Sequence, residues 1–126
     1  MDVTPLIRKG QKIIQSYRGG AFKISGVVYE HAVILTPDDV WKWKIGGGVQ
    51  DLSEAHFSSL TKISDQIDVV LLGCGSHMAF LPLDLRKTLK EQGIQIDVMD
   101  TGAACRTYNV LMAEGRRVAC ALIPTK

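Results

Sequence analysis

A cysteine and a histidine stand three residues apart at Cys74 and His77, and the cysteine is flanked by Gly73 and Gly75. Three chemistries use such residues. A structural zinc takes about four ligands at paired spacing, and Cys74–His77 supplies one half-pair. A thiol–imidazole pair would need His77 to reach Cys74 or Cys105. A G-x-G turn after a strand can cradle a dinucleotide, and Asp97 and Asp100 follow Gly75 by about 22 and 25 residues, near the spacing of a ribose-binding acid. Here the third glycine is missing, because position 78 is Met. The structural alternative is a tight turn at the top of a buried strand.

The second group is Asp100, Thr101, Gly102, Arg106 and Asn109. They fall at the end of one strand and along the first turns of a helix. A cation so near a helix N-terminus opposes the macrodipole, so Arg106 needs a partner. One candidate is a carboxylate such as Asp100, forming a structural tie. The other is an anionic ligand or a protein partner gripped by Arg106 and the open N–H groups of the first turn. Gly73, Gly75, His77, Asp100, Thr101, Gly102, Arg106 and Asn109 therefore form the candidate ligand or partner surface. No catalytic set, metal site or cofactor is assigned. Cys105 reads as core: Ala104, Cys105, Tyr108, Leu111 and Met112 share one helical arc of about 120°.

The elements that must hold these residues are legible to different degrees. D-V-V-L-L-G-C-G is a wholly apolar run ending in glycines, as in a buried parallel strand. Pro82 opens a helix whose Leu81, Leu85 and Leu89 make the apolar stripe, and Gly93 ends it. I-Q-I-D-V-M is the next strand. Asp100 or Thr101 caps a helix that closes at Gly115, and R-V-A-C-A-L-I is the last strand, of undetermined direction. Alternating strands and helices of these lengths predict an α/β unit. Earlier in the chain, Phe22–Ile24, a Ser25-Gly26 turn and Val27–Leu35 predict a β-hairpin. Trp41 and Trp43 alternate with lysines, so both indoles share one strand face. After Gly46-Gly47-Gly48, Asp51 with Glu54 three residues on reads as a capping box for a helix to Ile63, with Ala55, Leu60 and Ile63 inward. Residues 1–19 read as an N-terminal arm and 20–126 as a single domain.

Bulk properties narrow the partners. The 126 residues are 46% hydrophobic and 22% charged, enough for one core. A net charge of +2 with scattered signs gives no electrostatic case for nucleic acid, and the Trp41–Lys44 stretch reads as core aromatics with solvated lysines rather than a base-stacking platform. Three cysteines form an odd set, which fits reduced thiols in a cytoplasmic setting. The N-terminus lacks a signal-peptide core, and no run approaches the ~18 apolar residues of a membrane span. No oligomeric state is assigned.

The block M-D-T-G-A-A-C-R-T-Y-N-V-L-M-A-E-G-R-R-V-A, with L-L-G-C-G, L-P-L-D-L-R, the region around Trp43 and G-A-F-K-I-S-G, resembles the Mth-like family of small α/β domains. The resemblance covers nearly all of the chain after about residue 12 and is most specific over residues 100–109. It implies a three-layer α/β fold with a mixed central sheet of about five strands and an N-terminal hairpin. Through the family's mitochondrial members, which assist assembly of respiratory complex I, it implies a non-enzymatic, assembly-factor-like interaction role with a protein partner. A small-molecule or anion-binding domain, or a minor enzyme, with a site at the strand ends is the alternative. The chain departs from the family in having Cys74 where Thr is common, and in its second tryptophan, Trp41.

Overall fold

The computed structural model describes residues 10–125, so the readings made for residues 1–9 lie outside it. Eight strands and three α-helices follow in the order β1 Ile14–Ser16, β2 Phe22–Ile24, β3 Val27–Tyr29, β4 Val33–Leu35, β5 Val40–Lys42, α1 Ser58–Thr61, β6 Val69–Cys74, α2 Leu83–Glu91, β7 Ile96–Met99, α3 Thr101–Ala113 and β8 Val118–Ile123. Five strands form the central sheet in the order β5-β4-β8-β6-β7, and β1-β2-β3 form a smaller antiparallel sheet. The central sheet is mixed. β6 runs parallel to both β7 and β8, while β4 is antiparallel to β8 and β5. The last strand thus sits in the middle of the sheet, parallel to β6, with Leu71 and Leu72 beside Cys120 and Ala121.

The layers follow from the two apolar faces of that sheet. On one face, Val70 and Leu72 of β6 meet Leu85 and Leu89 of α2, together with Trp43, Phe57 and Leu60. On the other, Leu71, Cys120 and Leu122 meet Ala104, Cys105, Tyr108 and Met112 of α3, and Ile14, Phe22 and Ile24 of the small sheet. β6 and β8 are apolar on both sides because both sides are covered. Each Leu or Phe so buried is worth about 1.5–3 kcal/mol relative to exposure. The three-layer α/β fold with its five-stranded mixed sheet is the one expected.

Several local expectations change. The hairpin stops at Tyr29, and Val33–Leu35 crosses to the central sheet as β4. Its turn is real: Ser25 and Gly26 both have positive φ, 46° and 86°, the pairing that a two-residue hairpin turn requires. Within the segment read as an arm, β1 pairs with β2. Pro82 is the residue just before α2 rather than inside its first turn, while Leu81 is buried beneath it. Trp43 lies past the end of β5, but both indoles do pack on the same core.

The predicted helix from Asp51 to Ile63 is replaced by short 3-10 turns at Val49–Asp51, Glu54–Phe57 and Ser64–Gln66, around a one-turn α1. The reason is local competition. The Ser53 N–H bonds to His56 Nδ1 at 2.9 Å, and Leu52 and Ser53 are extended, so side-chain bonding interrupts the ladder. Asp51 accepts from the Gly48 N–H instead of capping a long helix. Ala55 is exposed, and Val49, Leu52, Phe57 and Leu60 supply the buried contacts.

Gly73 is required by a close approach between β6, β8 and α3. A Cβ there would stand 2.9 Å from both Leu122 Cδ2 and Thr101 Oγ1, and 3.0 Å from the Thr101 Cα. Gly73→Ala is expected to cost about 1–3 kcal/mol, read as a lower urea midpoint with an unchanged slope.

Candidate functional site

Two loops meet at the carboxyl ends of β6 and β7. α2 carries the chain from β6 to β7 on one face, and α3 returns it across β6 to β8 on the other. In open α/β sheets this reversal opens a crevice at the strand ends. Asp100 caps α3: its Oδ1 accepts the Ala103 N–H at 2.9 Å. Thr101 is fully buried. Its hydroxyl donates to the Ile123 carbonyl at 2.6 Å and accepts the Gly75 N–H at 2.8 Å, while its own N–H bonds to the Gly75 carbonyl at 2.9 Å. Gly75, with φ of 96°, makes the turn that allows this.

Arg106 is exposed, and its Nη1 donates to the Tyr17 hydroxyl at 2.9 Å. Its recorded partner is therefore a phenol, not the carboxylate considered from the sequence. A Cβ on Gly102 would stand 3.1 Å from the Tyr17 ring and hydroxyl, so this glycine lets Tyr17 lie across the helix start. Asn109 is bound at both ends of its amide: Oδ1 accepts the Ile14 N–H at 3.0 Å, and Nδ2 donates to the Ile14 carbonyl at 2.8 Å. It acts as one residue of a neighbouring strand would, closing the outer edge of β1. The Tyr108 hydroxyl adds a bond to the Lys12 carbonyl at 2.8 Å.

The structure gathers Gly75, Asp100, Gly102 and Arg106 around one cleft of about 320 Å³, together with Tyr17 and Arg18. Gly73 and Thr101 lie beneath it as framework, and Asn109 faces β1. His77 is exposed on the loop after β6 and is not among the residues lining the cleft. Tyr17, Arg18 and Thr125 are lining residues that the sequence patterns do not mark; Tyr17 and Arg18 fall in the segment read as an arm. A larger cleft of about 850 Å³ opens at the far end of the sheet, between Trp41, Asp38, Asp39, Met112 and Arg116. Its charges are mixed, and Arg117 on its wall is held by Asp68 at 2.7 Å. That pairing lowers the Asp68 pKa without making a reactive group.

The thiols are committed to packing. Cys74 Sγ lies 3.1 Å from the Met99 carbonyl and 3.3 Å from the His77 carbonyl, and accepts the Ala79 N–H at 3.1 Å. It thus meets the His77 backbone and organises its own loop. Burial pushes Cys105 up to about 12, only partly offset by Arg106. Burial raises Cys120 and the Tyr108 phenol as well. No group of three or more His, Cys, Asp or Glu side chains suited to a metal occurs among the described residues.

Two measurements check this geometry. Asn109→Leu keeps the branched side-chain shape and leaves the Ile14 N–H and C=O without their Asn109 partners, so a loss of about 1–3 kcal/mol is expected in chemical denaturation. The thiols give a pH signature. Cys105 ionises near its ordinary 9.0 when unfolded and near 12 when folded, so the native state holds more protons between those values. Its contribution to stability is complete below 9 and falls as pH rises toward 12. At pH 8, Cys105 and Cys120 should resist alkylation in native protein and react once it is unfolded.

A family model described as "Protein of unknown function (DUF498/DUF598)" matches residues 14–123. An uncharacterized protein of Rhodobacter capsulatus is 35% identical over 111 residues, which are 88% of this chain and 83% of that one. The mouse NADH dehydrogenase [ubiquinone] 1 alpha subcomplex assembly factor 3 is 34% identical over 111 residues, 88% of this chain; the match spans only 60% of the mouse protein's length. A Bordetella pertussis structure described as a Mth938-like domain superposes with a TM-score of 0.78 at 25% identity, covering 98% of this chain and 92% of that one. No helix among the described residues is long and apolar enough to cross a membrane. The chain belongs to the DUF498/DUF598 family, with the Mth938-like α/β fold.

Proposed function

We propose that the protein is a non-enzymatic interaction module of assembly-factor type, acting in the cytoplasm on a protein partner and linked to assembly of a membrane complex. The observation that carries this reading is the rim of the strand-end cleft, where Tyr17, Arg18 and Arg106 stand together. Tyr and Arg are the side chains that anchor protein contacts most often, because each offers a large, stiff surface and a polar end. The residues best suited to chemistry are used inside the fold: Thr101, Asn109 and Cys74 make internal bonds, and Cys105 and Cys120 are buried. Similarity to the mouse protein, named as an assembly factor, supports the same role.

An anion held at the start of α3 is the other reading, and the bond pattern speaks against it. The Thr101 N–H is taken by Gly75, and the Ala103 N–H by Asp100. Two of the donors that such a site would use are thus closed, and the Asp100 carboxylate lies in the same cleft.

Tagged protein recovered from its own cells under mild crosslinking, beside Arg106→Glu, tests the proposal. The expected result is a specific protein that accompanies the native chain and is lost with the variant, whose melting temperature is unchanged. Identical recoveries from both, or none, would overturn it. Melting with inorganic phosphate and nucleotides then separates the anion reading: a ligand at a hundred times its Kd adds about 2.7 kcal/mol.

A further inference from the structure

The loop between β6 and α2 places three large apolar side chains in solvent. Phe80 is 87% exposed, Leu83 79% and Met78 57%. The loop is not loose at this point. Cys74 Sγ holds the Ala79 N–H, and Ala79 and Leu81 turn inward onto the core of the α2 face. An extended chain that buries 79 and 81 must send 78 and 80 outward. Phe80 is therefore displayed by a fixed backbone.

α2 continues this surface. Leu85 and Leu89 point inward, so the opposite face of the helix carries Leu83, Arg86, Lys87 and Lys90, spaced i, i+3, i+4 and i+7. Arg86, Lys87 and Lys90 are all exposed. The two acids of the helix, Asp84 and Glu91, fall on one flank of this stripe rather than within it. The combined surface is an apolar tip of Met78, Phe80 and Leu83 bordered by three cations.

We infer that the Met78–Phe80–Leu83 tip and the Arg86–Lys87–Lys90 stripe of α2 form a docking surface for an anionic lipid bilayer. Charge complementarity names the occupant: cations beside apolar side chains match headgroup phosphates above acyl chains. The exposure of Phe80 favours a bilayer over a protein. A side chain with almost no neighbours of its own projects from the surface, and a fluid interface accepts a projecting ring without a complementary pocket. The surface adjoins the strand-end cleft, since Ser76 lines that cleft two residues before Met78. A chain lying on a membrane by this tip would hold Tyr17, Arg18 and Arg106 close to the lipid surface. The inference does not rest on the partner contact proposed above and can fail without it.

Sedimentation with vesicles tests it, using the full chain with phosphatidylcholine alone and with phosphatidylcholine containing phosphatidylglycerol. The protein is expected to pellet with the anionic vesicles and to stay in solution with the neutral ones, with binding lost at high salt. Each cation removed from a membrane-facing surface costs about fivefold in affinity, so Lys87→Glu with Lys90→Glu should weaken binding more than tenfold. Phe80→Ser should weaken it at unchanged charge. Lys23→Glu with Arg116→Glu carries the same charge change on other faces and should cost less. All of these positions are exposed, and melting temperature checks that each variant is folded. Failure of the native chain to pellet with anionic vesicles, equal pelleting with both compositions, or variants that bind as the native chain does would each overturn the inference. An acidic protein partner that covers this face instead would give the first of these results.

Discussion

The Thr101 hydroxyl holds together the part of the molecule on which the candidate site depends. One oxygen donates to the end of β8 and accepts from the turn after β6, while the same residue begins α3. Fully buried, such a group must be bonded or it costs about 1–3 kcal/mol, so its two partners fix where both strands stop. Gly73 is the counterpart of this constraint. With no Cβ it lets the Thr101 backbone approach β6, and the distance between helix and sheet is set by that absence. The cleft above is shaped by the same contacts, because Gly75 and Gly102 line it and each adjoins the Thr101 junction in sequence or by hydrogen bond.

The second half of the chain was legible because local and tertiary preferences agree there. β6 and β8 are apolar on both sides, α3 has an aspartate cap and a glycine stop, and its buried face is the arc that Ala104, Cys105, Tyr108 and Met112 predict. Residues 49–66 were not legible. Asp51 and Glu54 have the spacing of a capping box, but Ser53 and His56 bond to each other's segment first. A pattern of residue types cannot rank two local bonds that compete for the same turn. The division of the hairpin after Tyr29 was hidden for another reason. Val27–Tyr29 and Val33–Leu35 have the same β-rich composition, and only tertiary pairing with β8 separates them.

Within the candidate site, the sequence marked two turns and left the tasks of their residues open. Asp100, Gly102 and Arg106 meet at the cleft because a strand end and a helix start must adjoin. Asn109 looked equivalent to Arg106, three residues on and on the same flank. Its role depends on β1, whose arrival 95 residues away in sequence no local pattern reports. The same holds for Tyr17, which meets Arg106 across 89 residues. α3 is thus as much a receptor for the N-terminal segment as a wall of the cleft. Tyr108 and Asn109 bind backbone groups of Lys12 and Ile14, and Arg106 binds the Tyr17 side chain.

The reactive residue types of the chain are mostly spent inside the fold. Reactivity requires a group that is both accessible and activated. The buried thiols and the Tyr108 phenol are pushed toward their neutral forms by desolvation, which is the opposite of activation. Cys74 is held among backbone groups of its own loop and of the end of β7. The surface at the strand ends carries the guanidinium groups of Arg18 and Arg106, the Tyr17 phenol, the Asp100 carboxylate, Ser76 and glycine backbone, beside the apolar loop. Groups of this kind make contacts through area and charge. The framework beneath them is ordered by internal bonds, and a surface that is already ordered loses little entropy in any contact it makes. The junction at Thr101 supplies that order to the cleft, and the Cys74–Ala79 bond supplies it to the loop beside it.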